Sequence, residues 1–430
     1  MKKELQNKII YQVFTRNYTR EGTFKALENH LKNIKELGTD IIYLLPISPT
    51  GEINRKGDLG SPYSIKDYMQ IDPLQGDEKD LIHLINEIHK LDMKVMIDIV
   101  FNHTSYNSKL YQTHPEWFFK DNNNVIRSKC ADWSDVIDLN YKNNDDLVSY
   151  LLNVLEYYVS LGIDGFRFDV VSMLGENFFI RFKDEFLTRH PDIITLGESI
   201  DFSFLNYLRR EYGIGLSDAE LYTYGFNLLY PYNSFTPFKE YLDSNDITKL
   251  LEYKRILANE ESCVPASALR IRCFENHDQN RICQYTTNPL KMRNLAAYSF
   301  FAKGPALIYN GLETNADHHL SLFTKDLLDL SIDNEWYNFI KTLISLKKDP
   351  LSNHIVSSET EVSIINALLI KNHLDSKEKI IGIFNLNEGS QTITSSFLEN
   401  GKYIDLISNK EIEIVNNTLT ISEPLELKEL

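Results

Sequence analysis

Residues 163–170 read IDGFRFDV, a short apolar run that ends in Asp169. The run predicts a buried strand, and Arg167 and Asp169, two positions apart, point to the same side of it. Residues 144–161, just before it, place apolar side chains at helical spacing and are followed by Gly162. The stretch therefore predicts one helix followed by one strand, with charged groups where the strand ends.

The same alternation of helix and strand recurs along the first three hundred or so residues. Alternating helices and strands are typical of a parallel sheet with right-handed crossovers, and eight repeats favour closure into a (β/α)8 TIM barrel of the α/β class. The eight predicted strands lie at residues 9–14, 40–45, 94–100, 163–169, 193–197, 215–221, 269–274 and 306–309.

Two segments depart from this rhythm. Residues 104–139 are rich in Asn, Asp, Ser and aromatics and predict a short inserted domain after the third strand. From about residue 351 the pattern is all-β, with one strand predicted at 362–370, and indicates an antiparallel β-sandwich. The predicted domains are a barrel over 1–103 and 140–350, the insertion over 104–139, and a C-terminal β domain over 351–430.

Composition excludes some partners. Acidic residues outnumber basic ones, 61 to 45, and the net charge is -16, which disfavours nucleic acid and anionic membranes. Four cysteines without zinc spacing predict free thiols. With no apparent signal peptide or membrane span, we expect a cytoplasmic protein.

Chemistry in a barrel is located at the C-terminal ends of its strands. Four of those ends are polar: DIVFNH (98–103), GFRFDV (165–170), GES (197–199) and FENHD (274–278). A single Asp or His after a strand is usually structural. Carboxylates at three strand ends would repel one another without a functional reason, so the set predicts an acid/base site.

Glycoside cleavage would use these groups in distinct roles. Asp169, held by Arg167, is expected to be ionised and suits a nucleophile, whereas Glu198, among other carboxylates, is expected to have a raised pKa and suits an acid. Asp278 could stabilise positive charge, and His103 and His277 could bind sugar hydroxyls.

The four motifs, in this order, resemble those of the α-amylase superfamily, glycoside hydrolase family 13. GSPYSIKDY (60–68), VIDLNY (136–141) and GPALIYNGLE (304–313) are similar to further motifs of that family. The resemblance extends over nearly the whole chain and includes the C-terminal β domain. It implies a retaining hydrolase of α-glucans or malto- and isomalto-oligosaccharides, with a covalent intermediate on Asp169.

The resemblance also implies roles for individual residues. It implies Asp169 as nucleophile, Glu198 as acid/base and Asp278 as transition-state stabiliser. Around the sugar bound at the −1 subsite it implies Tyr63, His103, Arg167 and His277.

Departures from the family pattern bear on metal binding. Ser172 and Met173 stand where many amylases have Lys-His, and the His of that pair helps to bind calcium. We therefore expect no cofactor and no bound metal. Calcium at Asn102 and Asp138 is the alternative.

Several choices remain open from sequence. Val170 resembles α-1,6-cleaving relatives, and Ser64 argues against a strict exo-glucosidase. A transglycosidase or sugar phosphorylase would use the same intermediate, and a non-catalytic carbohydrate-binding relative is a further alternative. In the insertion, His114, Trp117 and Phe118 are either packing or sugar contacts. Oligomeric state, linkage and endo or exo mode are not predicted.

Overall fold

The computed structural model describes residues 3–430, so residues 1 and 2, with which the predicted barrel begins, lie outside the described residues. The chain forms two compact units. The N-terminal unit comprises 11–230 and 320–328, and the C-terminal unit comprises residues up to 10, 231–319 and 329–430. The predicted domain boundaries stay a prediction.

Eight strands form one sheet in the order β8-β1-β2-β3-β4-β5-β6-β7. Consecutive strands are neighbours, and the pairings from β2 to β6 are parallel. The order confirms the predicted TIM-barrel class. The strands are β1 (Ile9–Val13), β2 (Ile41–Leu44), β3 (Lys94–Ile99), β4 (Gly165–Phe168), β5 (Ile194–Gly197), β6 (Leu228–Leu229), β7 (Leu269–Arg270) and β8 (Ala306–Tyr309).

Helices follow most of these strands. The helix predicted over 144–161 is α6, whose first turn is capped by the Asn144 side chain. The helices of the N-terminal unit are α1 (Thr15–Tyr18), α2 (Phe24–Glu28), α3 (Leu31–Leu37), α4 (Glu78–Lys90), α5 (Lys109–Thr113), α6 (Asp145–Ser160), α7 (Glu176–Arg181), α8 (Phe202–Tyr212) and α9 (Asp218–Thr223). Those of the C-terminal unit are α10 (Tyr232–Ser244), α11 (Ile247–Ser262), α12 (Ile282–Tyr285), α13 (Pro289–Phe301) and α14 (Asn334–Lys348).

The sixth strand was predicted in the wrong place. Residues 215–221 are not a strand, because Ser217 and Glu220 form a reciprocal capping box that begins α9. The true strand, β6, lies seven residues beyond the predicted one, at Leu228–Leu229. It is only two residues long and fully buried, so its periodicity is too short to detect.

The insertion after β3 has little regular structure. Strands His103–Ser105 and Val136–Asp138 pair in antiparallel fashion, with His103 opposite Asp138. Between them lie α5 and a single 3-10 turn, Pro115–Trp117. The pairing fixes the start and end of the insertion beside the end of β3.

The C-terminal strands form a six-stranded antiparallel sheet, β9-β10-β11-β16-β13-β14, and a two-stranded one, β12-β15. Both contribute to one apolar core, as the predicted sandwich requires. The strand predicted at 362–370 is wrong, because a turn with Asn366 at φ 57° divides it into β9 and β10. The strands are β9 (Ile355–Val362), β10 (Ala367–Leu374), β11 (Lys379–Asn385), β12 (Gln391–Thr394), β13 (Gly401–Asp405), β14 (Lys410–Ile414), β15 (Thr418–Ile421) and β16 (Leu425–Glu429).

Within residues 3–430, none of the helices combines the length and apolar character needed to cross a bilayer.

Candidate active site

Strand register brings the predicted catalytic groups of the N-terminal unit together. Asp98 on β3 is opposite Arg167 on β4, and Phe168 on β4 is opposite Gly197 on β5. Asp169 and Glu198 each follow the last residue of these paired strands. Parallel strands end on the same side of a sheet, so the carboxylates meet there.

Arg167 is the centre of this cluster and its side chain is completely buried. Its Nη1 donates to Asp98 Oδ1 at 2.8 Å and to Asp169 Oδ1 at 2.9 Å. Its Nη2 lies 2.9 Å from Glu198 Oε2. One guanidinium therefore contacts three carboxylates, and the cluster has more negative than positive charge.

The pKa of Asp169 is shifted in the direction opposite to the sequence expectation. Burial raises the pKa of Asp169 well above its ordinary value, Arg167 opposes this, and the Glu198 and Asp98 carboxylates raise it further. The expectation considered Arg167 alone and omitted desolvation and the other carboxylates. The buried carboxylate cluster therefore disfavours the charged form of Asp169.

Two tyrosine hydroxyls form hydrogen bonds with Asp98. Tyr43 and Tyr63 donate hydrogen bonds to its Oδ2 at 2.6 and 3.0 Å. Burial raises the pKa of Tyr43 well above its ordinary value, so this phenol stays a donor. The Tyr63 ring centre lies 5.7 Å from the Arg167 guanidinium, which places this predicted residue within the cluster. Sequence reasoning missed Tyr43, because a tyrosine inside a strand resembles ordinary core.

His103 lies beside the nucleophile candidate. Its Nδ1 is 3.1 Å from the Asn102 amide nitrogen, which can only donate, so the proton of the neutral ring is on Nε2. Nε2 is 3.8 Å from Asp169 Oδ2. Burial lowers the pKa of His103 to about 4. A neutral imidazole N–H in this position can donate to a sugar hydroxyl.

Val170 links the two catalytic candidates through its backbone. Its N–H donates to Glu198 Oε2 at 2.8 Å. The residue has φ 35° and ψ 47°, a left-handed conformation that is unfavourable for a β-branched side chain. Strain of this kind persists where surrounding contacts enforce it and is common at active sites. Here it directs an N–H at the acid/base candidate.

The predicted Asp278 and His277 lie in the C-terminal unit, in the loop after β7. Asn276 Oδ1 accepts hydrogen bonds from the backbone N–H groups of Asp278 and Gln279, at 2.8 and 3.0 Å. His277 is buried and its Nε2 lies 3.0 Å from Asp278 Oδ2. The Asp278 side chain is 37% exposed, as a ligand-binding carboxylate requires. The assignment of both residues to the −1 sugar stays a prediction.

A buried ion pair anchors this loop. Arg281 Nη1 donates to Glu275 Oε1 at 2.7 Å, and its Nη2 donates to the Asn310 carbonyl at 2.8 Å. Glu275 Oε2 also accepts from the Ile282 N–H. The loop that contains Asn276, His277 and Asp278 is therefore held at its two ends by Glu275 and Arg281.

The named aromatic candidates of the insertion make packing contacts. Phe118 is 1% exposed. The Trp117 and His114 rings stack on each other with centroids 3.9 Å apart. These contacts favour the packing interpretation.

A lysine ammonium lies beside Asp138, where the alternative prediction places calcium. Asp138 Oδ2 accepts the Lys129 backbone N–H at 2.9 Å and lies 3.2 Å from the Lys129 ammonium, both side chains being buried. Asn102 Oδ1 and Asp138 Oδ1 have no hydrogen-bond partner within the described chain. However, calcium takes six to eight oxygen ligands, and the one carboxylate here is already paired with a cation. Residues 3–430 contain no group of three or more His, Cys, Asp or Glu that could hold a metal. The site does not fit a divalent cation.

Family models match most of the chain. The model described as "Alpha amylase, catalytic domain" matches residues 8–135 and 117–329, and "Bacterial Alpha amylase C-terminal domain" matches 366–424.

Known proteins are similar to this chain over nearly its full length. An alpha-amylase from Lactobacillus plantarum has a crystal structure with a TM-score of 0.91 and 34% identity, and the match covers 100% of both chains. The crystal structure of a maltogenic alpha-amylase from Thermotoga neapolitana matches with a TM-score of 0.85 and 25% identity, and the match covers 99% of both chains. The intracellular maltogenic amylase of Bacillus subtilis is 25% identical over 92% of this chain and 65% of its own length. Alpha-amylase 2 of Dictyoglomus thermophilum is 23% identical over 97% of this chain and 74% of its own.

Proposed function

The chain belongs to the alpha-amylase family and is a glycosidase, and from this premise we propose that it hydrolyses α-glucans with retention of configuration, using Asp169 as nucleophile and Glu198 as acid/base. One observation supports these roles above all. Both carboxylates contact the same guanidinium, Arg167, and so lie side by side, as retaining enzymes require.

The reaction follows from these positions in two steps. Glu198 donates its proton to the glycosidic oxygen while an Asp169 oxygen attacks the anomeric carbon, so the C–O bond breaks and a glycosyl ester forms. Glu198 then takes a proton from water, whose oxygen attacks the same carbon and releases Asp169.

Neighbouring groups support charge and orientation. Arg167 stabilises the carboxylate of Asp169 as it leaves, and Tyr63 and neutral His103 lie where they can contact the sugar. Asp278 and His277 are assigned to the same sugar from their motif, Asp278 to stabilise positive charge at the anomeric carbon.

The proposed substrates are α-glucans or malto- and isomalto-oligosaccharides. The relatives named as alpha-amylases and maltogenic amylases support this class. Cytoplasmic location is proposed from the relative named as intracellular and from the free cysteines at 130, 263, 273 and 283.

We also propose that the enzyme works without calcium. Lys129 supplies the positive charge against Asp138, at the end of the insertion. This ammonium is covalently part of the chain, so it is independent of metal concentration.

A product analysis tests the main proposal. Maltotriose, maltohexaose, isomaltose, panose and pullulan would be incubated with wild type and Asp169→Asn, and the first product anomer read by proton NMR. We expect α-anomers from wild type and no turnover from the variant. A β-anomer as first product would exclude retention. Longer sugars formed with an added acceptor would favour the transglycosidase.

A further inference from the structure

Trp133, in the insertion, is an aromatic side chain beside the candidate active site that none of the predicted roles uses. Its ring centroid lies 5.3 Å from that of His103, with the planes tilted by 54°. It is only partly buried, whereas Phe118 is buried and Trp117 is stacked on His114. Trp133 is therefore the candidate among these aromatics for contact with a ligand.

The position of Trp133 is fixed from two sides. The backbone N–H of Trp133 donates to the Cys130 carbonyl at 3.1 Å, and its backbone carbonyl accepts the Val136 N–H at 3.4 Å. Its side chain packs on an apolar cluster that includes Val170 and Ile200. Val170 directly follows Asp169, and Ile200 lies two residues after Glu198. The indole thus extends from His103 to the residues just past both catalytic carboxylates.

The indole also has an unused polar group. Its Nε1–H makes no hydrogen bond to any residue in the part of the chain that the structure describes. Tryptophan combines an apolar face with one donor, and the donor usually finds a partner when it is buried. A glucosyl ring matches this pattern, because its C–H face can lie on the indole while a hydroxyl accepts from Nε1.

We propose that Trp133 binds the glucosyl unit on the leaving-group side of the scissile bond. The proposal rests on the proposed function, in which His103 contacts the sugar on the other side of that bond and Glu198 faces the leaving group. Trp133 packs on the apolar cluster that contains Ile200, two residues beyond Glu198, and this places it toward the departing sugar. It is a specificity-determining residue, since the reacting atoms do not need it.

Two substrates separate this role from a general effect on the site. Maltohexaose places a sugar on the leaving-group side, whereas α-maltosyl fluoride has only fluoride there. For Trp133→Ala we expect kcat/KM on maltohexaose to fall about tenfold or more, as loss of an aromatic contact and its donor implies. On α-maltosyl fluoride kcat/KM should stay within about twofold of wild type.

Two further variants make the test decisive. Trp117→Ala, from the same insertion, should leave both substrates unaffected. Trp133→Phe keeps a packed ring but loses the N–H, and should show a smaller loss confined to maltohexaose even if the alanine variant fails to fold. An equal loss on both substrates, or no loss on either, would overturn the proposal. Wild-type protein that cleaves neither substrate would instead overturn the proposed function.

Discussion

Asp98, Asp169 and Glu198 face the single guanidinium of Arg167, so each of these charges is expected to affect stability as well as the proposed catalysis. Sequence reasoning located all four residues from the ends of apolar strands. It could not obtain the direction of the Asp169 pKa shift, because that depends on burial and on distances to residues from other strands. Trp133 was missed for a similar reason, since a tryptophan in an irregular segment has no periodicity to indicate its direction.

Asp169→Asn separates the proposed catalytic role of this carboxylate from its effect on stability. We expect kcat to fall by roughly 10⁴-fold or more, as for removal of a catalytic nucleophile. Because the folded protein raises the pKa of Asp169, its ionisation destabilises the fold as pH rises through that pKa, and the variant lacks this cost. Thermal unfolding at pH 7 should show the variant at least as stable as wild type. An exposed control, Asp184→Asn, should change neither quantity, and retained activity in Asp169→Asn would exclude the nucleophile assignment.

The acid side of the pH–rate profile is expected to report the ionisation of Asp169. Because the pKa of Asp169 is raised, the acid limb of kcat/KM should lie above the ordinary Asp value of about 3.9. Asp98→Asn removes a neighbouring negative charge and leaves Arg167 more available to Asp169, so the limb should move to lower pH. Initial rates between pH 3 and 9 measure this, and a limb that moves upward would contradict the charge assignment.

At the scale of elements, predictions succeeded where a pattern was long and failed where tertiary contacts decide. The sixteen residues of α6 were predicted closely, whereas two-residue β6 was not. Residues 215–221 contain enough apolar side chains for a strand, yet the Ser217 capping box starts a helix there.

The insertion depends on Lys129 for its charge balance. Removing one partner of a buried ion pair leaves the other unpaired, at a cost of about 3–5 kcal/mol. Lys129→Met should therefore lower the melting temperature clearly, whereas the exposed Lys120→Met should not. Wild type should show the same melting temperature and activity in chelator and in calcium chloride. Loss of either in chelator, with recovery on adding calcium, would contradict the proposal of a metal-free enzyme.

At the scale of the whole molecule, the C-terminal unit contains two buried titratable groups whose pKa values are shifted toward neutrality. Lys347 on α14 and Glu426 on β16 line one cavity of about 210 Å³. Burial raises the pKa of Glu426 to about 8, with Lys347 opposing and Asp405 reinforcing the rise. Burial lowers the pKa of Lys347 to about 7, reinforced by Arg272 and opposed by Glu426. The packing of α14 and β16 in this unit is therefore expected to respond to pH near neutrality.

Glu426→Gln tests the sign of that response. Between its ordinary pKa and about 7, Glu426 binds a proton in the folded but not in the unfolded chain, so wild-type stability should fall as pH rises through that window. Above about pH 7 the folded chain also loses the Lys347 proton, which opposes the fall. Below about pH 7 Lys347 is protonated in both states and does not add to this slope. The glutamine variant cannot ionise, so it should match wild type near pH 5 and exceed it near pH 8. Melting temperatures across this range provide the measurement, with exposed Glu429→Gln on the same strand as control. A variant that is less stable than wild type at pH 8 would mean that Glu426 is ionised there and stabilises the fold by pairing with Lys347.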